Sequence, residues 1–437
     1  MLTPDQNELL CRVSGNAPMG ALMKRYWLPL CQSSEVAVAD GPPVRARLLD
    51  EDIVVFRDTN GRIGALDEYC PHRGVSLVLA RNEQCGLRCL YHGWKYDVDG
   101  NIVEMPTEPP ESRLADHLKH RAYPVRESGG LIWAYLGPRE AMPEFQPPPW
   151  AACLPRRIVT SRIVVEANWA QALEGQIDSA HSSMLHSTDI PAGRSERTTI
   201  DARGVHVRPS GDPNPRLVVK RVSYGMRYVA IRKPTTNPET NDYMRVTVFI
   251  APCIALIPPN SRNYLCNMAV PRDDGTTNMY FVHFSETVDL DEAMIQANLG
   301  TRPGHDFDLV TGKKPRNRAN NFLQDRDAMA RGNFSGIKGI GQQDIAMWES
   351  MGRGPIIDRS REHLGRTDVA VVQFRRLMLD AVEEFGRSGS VLGQQVPIVP
   401  LAKVRSFEGI VAKGTDWELL GLGEEERILG NGAVAAE

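Results

Sequence analysis

From about residue 42 the chain reads as short alternating runs of apolar and polar residues broken by turn residues. Val44–Leu48, Ile53–Arg57 before Thr59-Asn60-Gly61, and Trp94–Val98 before Asp99-Gly100 are strands with hairpin signals. The stretch before them differs. Thr3, Pro4 and Gln6 stand as N-cap, N1 and N3 of a capping box, and residues 3–35 are predicted to be helical. The β pattern ends near Leu131–Leu136 and gives way to a Pro-rich stretch from Gly137 to Pro155, which cannot continue a sheet ladder. A mixed half follows, with a helix expected over 168–186 and strands near 216–222, 224–232, 243–251, 264–270 and 278–286. Residues 300–340 are polar and Gly-rich, so long loops with short helices are expected there. A last helix begins at the Thr367-Asp368 cap, carries Val369, Val372, Leu377 and Leu379, and is expected to stop at Gly386. The tail beyond 415 is Gly/Ala/Glu-rich and expected to be loosely ordered. These signals divide the chain into 1–40, 41–137, a linker over 138–156, and 157–437, with no internal repeat.

Composition narrows the partners. A formal charge of −3 over 437 residues leaves no basic footprint for nucleic acid or anionic lipid. No run approaches the roughly 18 apolar residues of a membrane span, and the N-terminus lacks the apolar core of a signal peptide. A soluble cytoplasmic protein is therefore expected. In that compartment thiols stay reduced, so Cys11, Cys31, Cys85, Cys153, Cys253 and Cys266 read as free thiols.

The other two cysteines stand apart. Cys70-Pro71-His72 and Cys89-Leu90-Tyr91-His92 each join one thiolate to one imidazole, with sixteen residues between His72 and Cys89. A structural zinc site is the competing reading, but zinc pairs usually read C-x2-4-C followed by H-x3-5-H. Two ligands of each kind, mixed within each loop, suit a 2Fe–2S cluster with cysteines on one iron and histidines on the other. The pattern resembles the Rieske iron–sulfur fingerprint. The respiratory type of Rieske protein has an additional cysteine pair over the cluster; Val75 and Tyr91 stand at those places here.

A second constellation lies at Asp178-x2-His181-x4-His186. Asp178 and His181 share a helix face, whereas His181 and His186 would be about 140° apart on an ideal helix. They can share a metal only if the helix distorts or ends between them, and Ser187-Thr188-Asp189-Ile190-Pro191 offers an ending. Alone, two histidines at this spacing on a polar helix are more often solvated or hydrogen-bonded than metal ligands. Beside a Rieske motif, it suggests two members of a 2-His-1-carboxylate triad for non-haem iron. With Leu2-Thr3, Ala17-Pro18-Met19-Gly20, Arg25-Tyr26-Trp27 and Asn320–Arg326, the chain resembles Rieske aromatic-ring-hydroxylating oxygenases of the phthalate dioxygenase type.

The resemblance implies an α+β fold: an N-terminal antiparallel-β Rieske domain and a helix-grip catalytic domain with an antiparallel sheet. It implies a 2Fe–2S cluster on Cys70, His72, Cys89 and His92, and mononuclear non-haem Fe(II) on His181, His186 and a downstream carboxylate. Among Asp325, Asp327, Asp344, Glu349 and Asp358, the segment Gln342-Gln343-Asp344-Ile345 fits the family's Q/E-x-D pattern, which selects Asp344; Asp325 and Asp327, beside arginines, read as ion-paired. Asp178 matches the acidic residue linking a cluster histidine of one subunit to an iron ligand of the next, within homotrimers or stacked trimers. The implied partners are a flavin/iron-sulfur reductase, dioxygen and an aromatic carboxylate, and the product is a cis-dihydrodiol.

An aromatic carboxylate leaving water needs a cationic, preferably bidentate partner. Of Arg208, Arg216, Arg221, Arg227, Arg232 and Arg245, most are expected on the wet face of strands. Arg245, followed by the apolar run Val246–Pro252, and then Arg208 are the candidates for the pocket, with Ser179 and Ser182 as hydroxyl donors. Monooxygenation or O-demethylation of an aromatic acid is compatible with the same ligands. A bare electron carrier with a binding domain would instead lack the mononuclear iron.

Overall fold

The computed structural model describes residues 2–200, 206–258, 263–309 and 311–422. They form two compact units: Val13–Phe145, and a second unit made of the segment up to Arg12 together with the chain from Gln146 onward.

The first unit holds three small antiparallel sheets. In one, Val44–Leu48, Glu51–Arg57 and Ile63–Asp67 form a meander whose turn is tied by Asp58, which accepts from the Asn60 and Arg62 amides. In another, Arg81–Glu83, Gly86–Arg88, Lys95–Tyr96 and Ile102–Glu104 pair in order. The turn before Ile102 needs Gly100: its φ is +82°, and a Cβ there would sit 2.2 Å from the His120 carbonyl. Between these sheets Val54, Phe56, Leu66, Leu77, Leu87, Trp94 and Tyr96 bury a core that also contains Cys70 and Cys89.

The expected helix over 3–35 is not one helix. Its capping box forms, but the helix Pro4–Cys11 stops before Gly15 at positive φ. A second short helix, Pro18–Met23, is followed by the strand Trp27–Gln32, which pairs with Leu131–Tyr135. That partner lies a hundred residues away, so local signals could not show it.

The second unit is built on an eight-stranded antiparallel sheet. Its order is Ile158–Val165, Thr277–Ser285, Asn263–Pro271, Ile254–Ile257, Asn241–Ile250, Gly225–Arg232 and Arg216–Val222, with Phe407–Ala412 also paired to Asn241–Ile250. The helix Trp169–Ile177 lies against the strand Asn263–Pro271 and is buried along almost its whole length. Asn168 caps it, accepting from the Ala170 amide while donating to the Cys11 and Asp274 carbonyls. Gly175 lets a second helix, Ile340–Ser350, come close: a Cβ there would meet the Trp348 indole nitrogen at 2.0 Å. The last helix runs Val369–Ser388, past the expected stop at Gly386, and ends at left-handed Gly389. Among the described residues no helix is long and apolar enough to cross a membrane. The tail from 423 lies outside the described residues.

Candidate metal centres and substrate cavity

The two Cys/His loops of the first unit share one hydrogen-bond frame. The Cys70 amide donates to the Val75 carbonyl and the Cys70 carbonyl accepts from Gly74, at 2.9 and 2.8 Å. The Cys89 amide donates to Trp94 and the Cys89 carbonyl accepts from Gly93, at 2.8 and 3.0 Å. Gly74 and Gly93 adopt φ of +72° and +75°, which turns each loop back on its cysteine. Both cysteines are buried and both histidines half-buried, so the thiol pair lies inside and the imidazole pair at the rim. The His72 and His92 rings are 4.4 Å apart, and His72 stacks on Trp94. His92 Nδ1 is buried without a hydrogen bond, and burial followed by His72 and Arg73 disfavours its charged form. Two imidazoles at the rim and two buried thiols within fit the two ends of a 2Fe–2S cluster.

Tyr96 places its hydroxyl 2.9 Å from Cys70 Sγ, a contact the motif did not reveal. A hydrogen bond to a ligating sulfur stabilises the reduced cluster. Tyr96→Phe is therefore expected to lower the cluster potential by roughly tens of millivolts. Redox titration followed by EPR measures this, and an unchanged potential would deny the bond its role.

In the second unit, the helix Trp169–Ile177 ends one residue before Asp178, earlier than the expected 186. Asp178 is its C-cap, so Asp178 and His181 do not share a helical face. Instead Asp178 Oδ1 accepts from the Ala180 amide at 2.7 Å and starts a tight turn holding the 3-10 segment His181–Ser183. This break brings the histidines together. His181 Nε2 and His186 Nε2 lie 3.4 and 3.1 Å from the same Asp344 oxygen. One ligand atom from each of the three falls within 4.8 Å of the others, spacing that suits a shared metal ion.

Each imidazole is held from behind. Asp178 Oδ2 is 3.3 Å from His181 Nδ1, and the Gln343 carbonyl accepts from His186 Nδ1 at 2.7 Å. Gln343 cannot flip, because its NH2 already donates to Asp189 and to the Ile337 carbonyl. Both Nε2 atoms are thus directed at Asp344, the tautomer a metal needs. Sequence reasoning noticed Gln343 only as part of a pattern. Burial opposes a charged His181, yet Asp178 and Asp344 lift its affinity for a proton to about 10. Burial likewise opposes ionised Asp344, but His186 and His181 hold its carboxyl well below the ordinary range. The pocket favours a cation among these groups.

Of the remaining candidate carboxylates, Asp327 is exposed on the short helix Arg326–Ala330 and, among the described residues, lacks the expected arginine pair; the other three are engaged elsewhere. Asp325 caps a short helix through the Ala328 amide, not through an arginine as expected. Asp358 caps Ser360, and Glu349 pairs with Lys314.

A cavity of about 310 Å³ opens beside the triad. Asp178, His181, His186 and Asp344 form one side of it, and Ile257, Leu265, Phe281, Ile295 and Leu299 give it apolar walls. Arg208, Arg245, Ser179 and Ser182 all line it. The expectation that most strand arginines face water does not hold: Arg208, Arg227 and Arg232 are buried, and of the set Arg216 and Arg221 are exposed. The strand Gly225–Arg232 is buried on both faces, so it carries no wet side. Arg208 donates to Ser182 Oγ at 3.0 Å and Ser183 Oγ at 3.3 Å, while Arg232 braces Ser179 by donating to its carbonyl at 2.7 Å. Arg245 donates to the Pro258 carbonyl at 2.6 Å. The Nε of all three is buried without an acceptor. Burial, then repulsion from Arg245 and Arg208, pushes Arg232 down to about 10. Glu408, across the strand pair from Arg245, is the nearby buried acid, and burial pushes its carboxyl up. One such acid against three guanidinia leaves this side of the cavity short of negative charge, whereas Asp178 and Asp344 supply it beside the histidines.

A thiol/imidazole cluster site together with a 2-His-1-carboxylate triad defines a two-centre oxygenase, and the chain belongs to the Rieske non-haem iron oxygenases. It matches the Rieske [2Fe-2S] domain over residues 26–125 and the LigXa C-terminal domain-like family over 134–433. It is 52% identical to the phthalate 4,5-dioxygenase oxygenase subunit of Pseudomonas putida, over 95% of this chain and 94% of that one. It is 35% identical to the 3-chlorobenzoate-3,4-dioxygenase oxygenase subunit of Comamonas testosteroni, over 98% and 99%. The 5,5'-dehydrodivanillate O-demethylase oxygenase subunit of a Sphingobium strain is 30% identical over 94% and 90%. Dicamba monooxygenase shares the fold at a TM-score of 0.55 and 18% identity, over 84% of this chain and 99% of that one. The protein is an oxidoreductase carrying a Rieske 2Fe–2S domain.

Proposed function

We propose that this chain is the oxygenase component of a dioxygenase that cis-dihydroxylates a phthalate-like aromatic carboxylate. The observation that carries the substrate class is the cavity's uncompensated guanidinia, Arg208 and Arg245, with Arg232 behind them. An aromatic acid supplies the missing anion, and the apolar walls accept its ring. The similarity to the phthalate 4,5-dioxygenase oxygenase subunit supports the same class.

Cys70, His72, Cys89 and His92 would hold the cluster, and His181, His186 and Asp344 the mononuclear iron. When bound, these centres supply single electrons and the activation of dioxygen. The chain's own residues do the rest. Asp178 and Gln343 fix the histidine tautomers, and Arg208 and Arg245 orient the ring by its carboxylate. Ser179 accepts from Arg232 and can offer its hydroxyl proton to the substrate, whereas Ser182 accepts from Arg208 and donates to the Ser179 carbonyl, so it fixes the cavity wall. The apolar wall excludes water and with it stray reduction of oxygen. The working assembly is a homotrimer or stacked trimers served by a flavin/iron-sulfur reductase, with Asp178 as the link between neighbouring subunits' centres.

Arg245→Ala is expected to lower kcat/KM for phthalate by about 10- to 150-fold, the worth of one charge-assisted hydrogen bond. The loss should fall mainly on KM, with iron content unchanged. Equal kinetics in the variant would reject the arginine clamp.

A further inference from the structure

The arginines account for only one side of the cavity. A second polar pair sits on the strands Asn263–Pro271 and Thr277–Ser285. Their register pairs Leu265 with His283 and Asn267 with Phe281, so these four side chains share one face, and all four line the cavity. Leu265 and Phe281 need nothing polar. His283 and Asn267 each bury a polar atom that has no hydrogen bond: Nε2 of the imidazole and Oδ1 of the amide. Asn267 has already committed its NH2 to Gln176, which leaves Oδ1 as an acceptor. Burial, with a small push from His206, takes His283 down to about 3, so its ring is neutral near pH 7 and has one N–H to donate. A buried donor and acceptor are costly to leave unmade.

One donor and one acceptor on neighbouring side chains match a hydroxyl, which accepts with its oxygen and donates its proton. A carboxylate fits worse, because Asn267 Oδ1 would repel it. The strand carrying Asn267 is separated from the strand carrying Arg245 by Ile254–Ile257, and Asn267 stands level with Phe249, four residues along from Arg245, so the backbones at Asn267 and Arg245 stand roughly 16 Å apart. That is the reach of a substituted benzene ring between two sets of side chains. We propose that His283 and Asn267 form a hydroxyl-binding subsite at the ring edge remote from the carboxylate. It rests on the aromatic-acid reading above. The hydroxyl can belong to a hydroxylated substrate or to the diol product, and the two sources share the same chemistry.

The test uses the iron-replete full chain. Binding of benzoate, 4-methylbenzoate, 4-hydroxybenzoate and the diol product is measured by competition with turnover of the best aromatic acid found. Wild type should bind the hydroxy acid, the diol or both at least tenfold more tightly than the methyl analogue. His283→Phe should erase that preference, and His283→Gln, which keeps an N–H, should retain most of it. Preference for the hydroxy acid assigns the subsite to substrate; preference for the diol alone assigns it to product. Equal binding of hydroxy and methyl acids and no diol preference in wild type would overturn the subsite without any variant. An unchanged preference in His283→Phe would overturn it as well. If wild type binds no aromatic acid, the underlying reading fails instead, and the subsite fails with it.

Discussion

Asp344→Asn is expected to leave the red-brown cluster intact while the chain loses about one iron in three and all product formation. Among the described residues Asp344 is the one carboxylate at which the Nε2 atoms of His186 and His181 converge, at 3.1 and 3.4 Å. An amide in its place is neutral and offers one oxygen that can be turned away, so a divalent cation loses its only anionic donor among the three. The visible spectrum reports the first unit, and total iron reports both. A variant that kept full iron and turnover would remove Asp344 from the metal site. One that lost its colour as well would show general misfolding.

The second large effect concerns stability. Glu174, in the helix that leads into Asp178, lies between the buried guanidinia of Arg359 and Arg375. Burial alone would favour its neutral form, but the two arginines hold the carboxyl below the ordinary range. Glu174→Ala leaves the buried guanidinium of Arg359 without its carboxylate and Arg375 with Glu362 alone, and should cost about 3–5 kcal/mol. The melting temperature should drop by roughly 8–15 °C, and calorimetry would show it. Because the folded carboxyl is depressed, the wild-type contribution is complete above the ordinary glutamate range. It disappears as pH falls through the lowered folded value, so variant and wild type should converge in acid. A variant with an unchanged melting temperature at neutral pH would mean the network contributes nothing net.

How far the sequence could be read depended on how local each feature is. The Cys70–His72 and Cys89–His92 loops are written in a few consecutive residues, and the glycines that close them, Gly74 and Gly93, are visible in the motif. Five of the six antiparallel strands from Arg216 to Ser285 were legible from their apolar runs within two residues at their ends, and the four-residue strand Ile254–Ile257 was not. Asp344 was reachable only through a pattern, since 157 residues of chain lie between it and His186 and tertiary packing joins them. The close approach of Gly175 to Trp348 is the packing that does so, and neither residue announces it. Buried Arg232 was misread because a strand covered on both faces has no alternation to betray a charged residue inside. The false helix to residue 35 came from a true capping box whose helix ends at Cys11. Its continuation became a strand by pairing with Leu131–Tyr135, which no local rule anticipates.

The most direct measurement gives the purified chain a generic reductase, phthalate and isotopically labelled dioxygen. A cis-dihydrodiol carrying label in both hydroxyls is the predicted result. A product with a single labelled oxygen, or no substrate-dependent oxygen uptake, would contradict the account.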